Sequence, residues 1–243
     1  MGRDPMSAMR AVTFDAGRTL LHWGVEPRRA FAELCRRAGI AVTDAGALHG
    51  ARACARFWQA SPPPPAGHAP EAWWLRHHAA GLRAAGVAGD LEACCRALQA
   101  AATSADAGWV VDPDAPLVLD ALRARGFVLA VVANADGTVA ERLGALGLAD
   151  RFAFIADSAV IGARKPDPAI YHAAARAIGV PPGACVHVGD RPDADGGVAL
   201  AAGATPVLYD PLDVLGGTWR RVLRLAQVLS ILPPHAAPPP AAG

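Results

Sequence analysis

The chain has 243 residues, which is enough for one large domain or for one domain with a second domain inserted into it. Its 23 basic and 22 acidic side chains are mixed along the sequence and leave a formal net charge of +1, which excludes a mainly electrostatic partner such as nucleic acid or an anionic membrane surface. Although 53% of the residues are hydrophobic, no apolar run is as long as a bilayer span, so we expect no membrane-spanning helix.

The predicted elements begin with one short strand and continue as helices. The strand covers residues 11–14 and ends at Asp15. Apolar residues then recur at helical spacing in four segments: 26–38, 44–59, 71–85 and 90–102. The prolines at 62–65 divide this region with a surface loop, and no strand is predicted between residues 26 and 105.

Strands and helices alternate over the remainder of the chain. We predict strands at 127–132, 152–155, 184–188 and 205–209. We predict helices at 115–125, 139–146, 168–178, 198–202 and 219–229. This alternation is typical of a parallel sheet with both faces covered, so the predicted fold class is α/β.

Polar residues gather at the ends of the predicted strands. Asp15, Asn134, Asp157 and Asp190 lie at or just after carboxyl ends, which form the edge where open parallel sheets bind ligands. Carboxylates at one edge repel one another unless a cation lies among them. Oxygen ligands with few imidazoles favour Mg²⁺ over zinc, so the sequence predicts a magnesium site at this edge.

Lys165 is the only lysine in the chain, and arginine supplies all the other Lys-or-Arg positions. A coding bias toward arginine explains this composition, and one lysine can escape such a bias by chance. The alternative is that residue 165 needs a compact ammonium group, which a planar guanidinium does not replace. The carboxylates at Asp15 and Asp190 favour this second interpretation.

Four short motifs occur in an order that resembles the haloacid dehalogenase (HAD) superfamily, whose members are mostly phosphatases. The first is Asp15-Ala16-Gly17-Arg18-Thr19 after a strand, and the second is Val131-Val132-Ala133-Asn134. The third is Lys165-Pro166-Asp167-Pro168, and the fourth is Gly189-Asp190 followed by Asp195. The resemblance covers nearly the whole chain.

The resemblance implies a Rossmann-like parallel sheet with an inserted α-helical cap domain. The core domain would comprise residues 1–24 and 106–243, and the cap would comprise residues 25–105. The cap would close over the edge of the sheet and select the substrate. Adjacent Trp73 and Trp74 would bury one ring in the cap and lay the other on the core domain, or stack one ring on the substrate.

The resemblance also implies a role for each site residue. Asp15 would be the nucleophile and form an aspartyl-phosphate. Mg²⁺ would bind Asp15, the backbone carbonyl of Gly17 and Asp190, and Asp195 would support the metal directly or through another ligand. Lys165 would offset the negative charge of Asp15 and of the substrate phosphate.

Two positions depart from the motifs of that superfamily. Gly17 replaces an aspartate that protonates the leaving alcohol and activates water, and losing such a group typically costs a factor of about 10²–10⁴. Ala133 replaces the Ser or Thr that contacts phosphate, and we expect Asn134 to substitute for it in part, through its amide or through backbone N–H groups. Arg18, where glycine is usual, adds a cation that contacts phosphate or points into solvent.

Three functions fit this set of residues. The first is a slow or specialised Mg²⁺-dependent phosphatase acting on a small phosphorylated metabolite, with Asp136 or His22 as candidates to assist water. The second is a protein that has lost hydrolysis and keeps a ligand- or partner-binding role. The third is a 2-haloacid dehalogenase-type hydrolase in which Asp15 attacks carbon, although Asp190 and Asp195 would then lack a purpose.

The cysteines and the amino-terminal residues indicate a cellular compartment. The five cysteines are odd in number and contain no Cys-x-x-Cys pattern, so we expect reduced thiols. Residues 1–9 lack the apolar stretch of a signal peptide. We therefore expect a cytoplasmic protein, and the sequence leaves open whether it is a monomer or a homodimer.

Overall fold

The computed structural model describes residues 5–61, 70–104 and 108–236 of the chain. The strands, in chain order, are β1 (Ala11–Phe14), β2 (Leu21–Trp23), β3 (Trp109–Val111), β4 (Val128–Ala133), β5 (Phe154–Asp157), β6 (Cys185–Gly189), β7 (Thr205–Tyr209) and β8 (Arg221–Val222). The α-helices are α1 (Pro27–Arg37), α2 (Asp44–Ala60), α3 (Glu71–Ala84), α4 (Leu91–Ala102), α5 (Ala115–Ala124), α6 (Val139–Ala145), α7 (Ser158–Ile161), α8 (Pro168–Ile178), α9 (Gly197–Ala202) and α10 (Val228–Ile231). The predicted loop at 62–65 lies outside the described residues.

Six strands form one parallel sheet in the order β5-β4-β1-β6-β7-β8, which confirms the predicted α/β fold. Every residue of β1 and β6 is buried, as expected for strands covered on both faces. β4 and β5 lie on one side of β1, and β6, β7 and β8 lie on the other, so the direction in which strands are added reverses at β1. Phe14, the last residue of β1, pairs with both Val131 and Val188, so the three central strands end within two residues of one another.

The start of α8 shows how local sequence fixes the segment that carries Lys165. The Asp167 carboxylate accepts a hydrogen bond from the Ala169 N–H at 2.9 Å, which caps the helix at its first turn. Pro168 occupies that first turn, and Gly179 ends the helix in a left-handed conformation. The helix therefore begins at Pro168, and Lys165 lies in the loop that precedes it.

The chain divides into two compact units. One unit comprises residues 1–21, 111–210 and 217–243, and the other comprises residues 22–110 and 211–216. The second unit contains α1 to α4, and each of these helices begins and ends within one residue of its predicted bounds. The predicted domain boundaries, 24/25 and 105/106, lie three to five residues from the observed ones. The action of the helical unit as a substrate-selecting cap stays a prediction.

The core of the helical unit is built around Phe31. Phe31, Cys35, Cys54, Leu82 and Leu98 are buried together. A Cβ on Gly50 would lie 2.3 Å from the Phe31 ring, so this position of α2 requires glycine for the ring to approach the helix. All five cysteines of the chain are free thiols.

Residues 211–216 belong to the helical unit, which the sequence did not indicate. Their backbone carbonyls accept hydrogen bonds from side chains of two helices. Arg28 Nε of α1 donates to Pro211 O at 2.9 Å, and Arg52 Nε of α2 donates to Leu212 O at 2.9 Å.

The predicted helix at 219–229 is wrong. This segment instead contains β8, a single 3₁₀ turn at Leu225–Gln227 and the short helix α10. This segment pairs with the outer edge of β7. The backbone N–H groups of Leu208 and Asp210 donate to Arg220 O and Val222 O, each at 2.8 Å. Pairing with an open sheet edge therefore overrides the helical spacing of the apolar residues. Within the described ranges, no helix has both the length and the hydropathy needed to cross a bilayer.

Candidate active site

Three buried carboxylates meet at the carboxyl edge of the sheet. Asp15 follows β1, Asp190 follows β6, and Asp195 lies in the single π-helical turn Pro192–Gly196 after β6. One oxygen from each side chain lies within 4.8 Å of the other two. The structure thus brings together the three aspartates predicted to hold a metal.

Gly189 allows Asp195 to reach this position. A Cβ on Gly189 would lie 2.3 Å from Asp195 Cγ, so any larger residue at the end of β6 would displace the carboxylate. The Arg191 N–H donates to Asp195 Oδ2 at 2.9 Å and fixes the side chain from the other direction. The glycine of the Gly189-Asp190 motif is therefore required for packing at this site.

Lys165 connects two of the carboxylates through one nitrogen atom. Its Nζ donates to Asp15 Oδ1 at 2.6 Å, to Asp195 Oδ1 at 2.5 Å and to Val132 O at 2.7 Å. An ammonium group has three N–H donors, and each has one acceptor here. The planar fork of a guanidinium spreads its donors over three nitrogens and does not reproduce this convergence on a single point.

Asn134 holds the backbone of Lys165. Its Nδ2 donates to Lys165 O at 2.9 Å, and its Oδ1 accepts from Lys165 N at 2.7 Å. Both ends of the amide are engaged, so Asn134 fixes the loop that carries the ammonium. Its predicted contact with a phosphate oxygen stays a prediction, as does any substitution for the hydroxyl that Ala133 lacks.

Burial and neighbouring charges shift the pKa values of Lys165, Asp15 and Asp195 by different amounts and in different directions. Burial opposes the charge on Lys165, but the Asp15 and Asp195 carboxylates outweigh it and raise the pKa of Lys165 to about 12. Burial raises the pKa of Asp15 to about 6, with the Lys165 ammonium opposing. Burial also opposes the charge on Asp195, yet Lys165 and His187 hold the pKa of Asp195 below its usual range. The site therefore contains a charged ammonium at neutral pH.

Arg18 forms an ion pair with Asp190. Its Nη2 lies 3.0 Å from Asp190 Oδ2, so the guanidinium contacts a site carboxylate. Burial raises the pKa of Asp190, and Arg18 is the strongest opposing influence. The sequence had suggested phosphate or solvent as the partner of Arg18; its phosphate contact stays a prediction. Gly17 forms a bridge to Leu21 in the same turn and contributes no side chain to the site.

A hydrogen-bonded chain that the sequence analysis missed runs from α8 to Asp195. The Tyr171 hydroxyl lies 3.0 Å from Thr13 Oγ1, which lies 2.9 Å from His187 Nδ1. His187 Nε2 lies 3.3 Å from Asp195 Oδ1. The sequence offered one signal for this chain of hydrogen bonds: Thr13 and His187 are polar residues inside two apolar strands. Because buried polar groups need hydrogen-bond partners, a contact between them could have been predicted.

The other predicted residues are not part of the carboxylate cluster. The Asp157 carboxylate accepts from Gly137 N at 2.9 Å and from Ala159 N at 3.0 Å, so it caps α7. Asp136 accepts from Thr138 Oγ1 at 2.6 Å within its own loop. His22 is buried at the first residue of the helical unit. The assistance of water by Asp136 or His22 has no support from these contacts and stays a prediction.

The aromatic residues of the helical unit pack mainly on one another. The Trp73 ring is buried, its Nε1 donates to Ser61 O at 2.8 Å, and it stacks on His77 with ring centroids 5.3 Å apart. Trp74 stacks on His78, whose Nε2 lies 2.9 Å from Gln99 Oε1. These contacts give both tryptophans a packing role, and stacking on a substrate stays a prediction.

The residues present fit a hard divalent cation. The three side chains that converge are all carboxylates, and oxygen donors are what Mg²⁺ prefers. Zinc in proteins more often binds nitrogen and sulfur donors, and the described residues provide neither in this group.

Comparisons with known proteins agree with this geometry. A family model described as haloacid dehalogenase-like hydrolase matches residues 9–203. The chain is 35% identical over 150 residues to haloacid dehalogenase-like hydrolase domain-containing protein 3 of Bos taurus, a match that spans 58% of the length of each protein. It is 33% identical over 223 residues to the phosphoserine phosphatase of Thermus thermophilus, covering 83% of this chain and 89% of that one.

The solved structures show the same fold. A HAD phosphatase from Thermococcus onnurineus superposes with a TM-score of 0.58 at 21% identity, and the match covers 94% of this chain and 100% of that chain. At this identity the likeness is evidence for the fold alone.

Proposed function

Since this chain belongs to the haloacid dehalogenase-like hydrolase family, we propose that it is a Mg²⁺-dependent phosphatase acting on a small phosphorylated metabolite. The observation that carries the proposal is the Lys165 ammonium bonded to both Asp15 and Asp195 beside a third buried carboxylate, Asp190. Such a site attracts a cation through its excess negative charge and tolerates an anionic substrate through its ammonium. The similarity to a phosphoserine phosphatase supports a small phosphorylated compound as the substrate.

We propose Asp15 as the nucleophile. Lys165 holds Asp15 Oδ1 at 2.6 Å, whereas Oδ2 has a longer, 3.4 Å hydrogen bond from Thr19 Oγ1 and is the freer oxygen to attack phosphorus. A bond forms between that oxygen and phosphorus as the bond from phosphorus to the leaving oxygen breaks, which gives an aspartyl-phosphate. Water then cleaves the acyl phosphate and restores the carboxylate. Lys165 stabilises the anions throughout because its charge stays in place.

Mg²⁺ would be held by Asp15, Asp190 and the backbone carbonyl of Gly17, with Asp195 in support. When bound, the cation would neutralise charge on the transferring phosphoryl group and orient it. Arg18 and Asn134 remain candidates for contacts with the phosphate, although each has a protein partner in this structure.

The missing acid at residue 17 restricts the substrates that we propose. Without a side chain to protonate the leaving oxygen, hydrolysis favours leaving groups that depart as stable anions. Acyl phosphates, phosphoric anhydrides and anomeric sugar phosphates have such leaving groups. We therefore propose turnover of these compounds in preference to alkyl phosphates such as phosphoserine.

The test is release of orthophosphate from a panel that contains acetyl phosphate, a sugar 1-phosphate and phosphoserine. We expect release that requires Mg²⁺, stops with a chelator and is fastest for acetyl phosphate. Halide release from 2-haloacids without metal would instead support attack on carbon. Tight binding of phosphorylated ligands with no turnover across the panel would support a non-catalytic binding protein.

Gly17→Asp is expected to raise kcat/KM for phosphoserine by about tenfold or more, because it supplies the absent acid-base group. The gain should be smaller for acetyl phosphate, whose leaving group needs no proton. Gly17→Asn is the matched control, since it adds nearly the same volume without a titratable proton. Equal rates for the two variants on phosphoserine would contradict the explanation.

A further inference from the structure

Lys165 and Arg18 form their close ion pairs with different site carboxylates. Lys165 Nζ bonds to Asp15 and Asp195, and no hydrogen bond is described from it to Asp190. The Asp190 carboxylate is paired with Arg18 at 3.0 Å. The Asp190 side chain is 8% exposed and that of Arg18 is 36% exposed, so the guanidinium reaches a buried carboxylate from the solvent side.

The backbone conformation at Arg18 is also unusual. Its φ is +68°, a left-handed conformation that glycine adopts freely and that other residues seldom adopt. The Arg18 N–H donates to Leu21 O at 2.6 Å, which holds this conformation within the turn after Asp15. A long cationic side chain is thus retained at a position that the backbone geometry suits to glycine. Unfavourable backbone conformations of this kind concentrate at functional sites.

Arg18 and a divalent cation would require the same carboxylate. A metal held by Asp190 would place a second positive charge beside a guanidinium that already contacts Oδ2, and the two cations would repel each other. The contact is not fully exposed, so salt screens it less than it screens a surface pair. Binding of the metal therefore weakens the Arg18–Asp190 pair, and formation of the pair weakens the binding of the metal.

We propose that Arg18 is a tethered cation that competes with Mg²⁺ for Asp190 and so sets the metal affinity of this chain. This inference rests on the proposed function for the identity of the metal. In the absence of metal, Arg18 stabilises the buried Asp190 carboxylate through their ion pair. When metal is supplied, Arg18 lowers the affinity of the site for Mg²⁺. The site therefore binds Mg²⁺ only at a higher concentration than the three carboxylates would require without Arg18.

The test is isothermal titration of MgCl₂ into the full chain, without substrate. Arg18→Gln removes the charge and keeps a polar side chain, and Arg18→Gly also removes the unfavourable backbone conformation. Both variants are expected to bind Mg²⁺ about tenfold more tightly than the wild type, and Arg18→Lys, which keeps the charge, is expected to lie closer to the wild type. Arg96→Gln, which disrupts an exposed pair with Glu92 on α4, is the matched control and should leave the Mg²⁺ affinity unchanged.

Thermal unfolding gives a second readout that is independent of activity. Without Mg²⁺, Arg18→Gln should unfold at a lower temperature than the wild type, and saturating Mg²⁺ should raise its midpoint by more than it raises that of the wild type. Equal or weaker Mg²⁺ affinity in Arg18→Gln and Arg18→Gly, with binding retained in the wild type, would overturn the role of Arg18 and leave the proposed function standing. Failure of every form to bind Mg²⁺ at millimolar concentration would overturn both.

Discussion

Asp15→Asn is expected to lower kcat/KM for phosphate release by more than about 10³-fold, because an amide does not form the covalent intermediate. The fold should persist. The two side chains have the same shape, and burial already disfavours the charged form of Asp15 by raising its pKa to about 6. Steady-state kinetics on acetyl phosphate and far-ultraviolet circular dichroism measure the two effects separately.

The control for Asp15→Asn is Asp136→Asn. Asp136 follows β4 near the same edge of the sheet, but its carboxylate is largely exposed and accepts hydrogen bonds from Thr138. Activity should change by less than about threefold in this variant if Asp136 only shapes its loop. Hydrolysis that persists in Asp15→Asn at more than a tenth of the wild-type rate would show that another group attacks phosphorus.

Lys165→Met is expected to lower the free energy of unfolding by about 3–5 kcal/mol in the absence of metal. The substitution removes the cation between Asp15 and Asp195, whose oxygens then face each other in a buried site, and it leaves Val132 O without its donor. Phosphatase activity should be lost as well. Urea denaturation monitored by tryptophan fluorescence measures the change in stability, and added Mg²⁺ should restore part of it.

Two further variants make the Lys165 result specific. Arg96→Met removes an exposed charge from the Arg96–Glu92 pair and should change stability by less than about 0.5 kcal/mol. Lys165→Arg keeps the charge but distributes its donors over three nitrogens, so it should not restore wild-type stability or activity. Full function in Lys165→Arg would mean that this lysine escaped a bias toward arginine by chance.

The convergence of the site could be predicted from the sequence because it follows from topology. Asp15 and Asp190 each come directly after an apolar run, and parallel strands end at one edge of their sheet. The pairing of Phe14 with Val188 aligns these ends, and no further information was needed to bring the two carboxylates together. The four predicted helices of the helical unit were equally accessible, because each carries a full apolar stripe and a clear start or stop.

Other features depend on contacts that a linear pattern does not encode. The ion pair of Arg18 with Asp190 depends on a left-handed turn that directs the guanidinium back toward the site. The engagement of Asn134 with the Lys165 backbone depends on the position of a distant loop. Residues 219–229 have helical spacing, but β7 leaves an open edge and pairing with that edge decides the local structure.

The pairing of Thr13 with His187 has a consequence for folding. These residues lie opposite each other on β1 and β6, and their side chains are hydrogen-bonded inside the sheet. A slip of one residue between the two strands would point one of them to the opposite face and leave buried polar atoms unsatisfied. Misaligned assemblies of the central strands are therefore disfavoured before any ligand is present. The alignment that this polar contact enforces is the same one that pairs Phe14 with Val188, the residues from which the chain enters the site, so correct assembly and a correctly formed reaction centre are selected together.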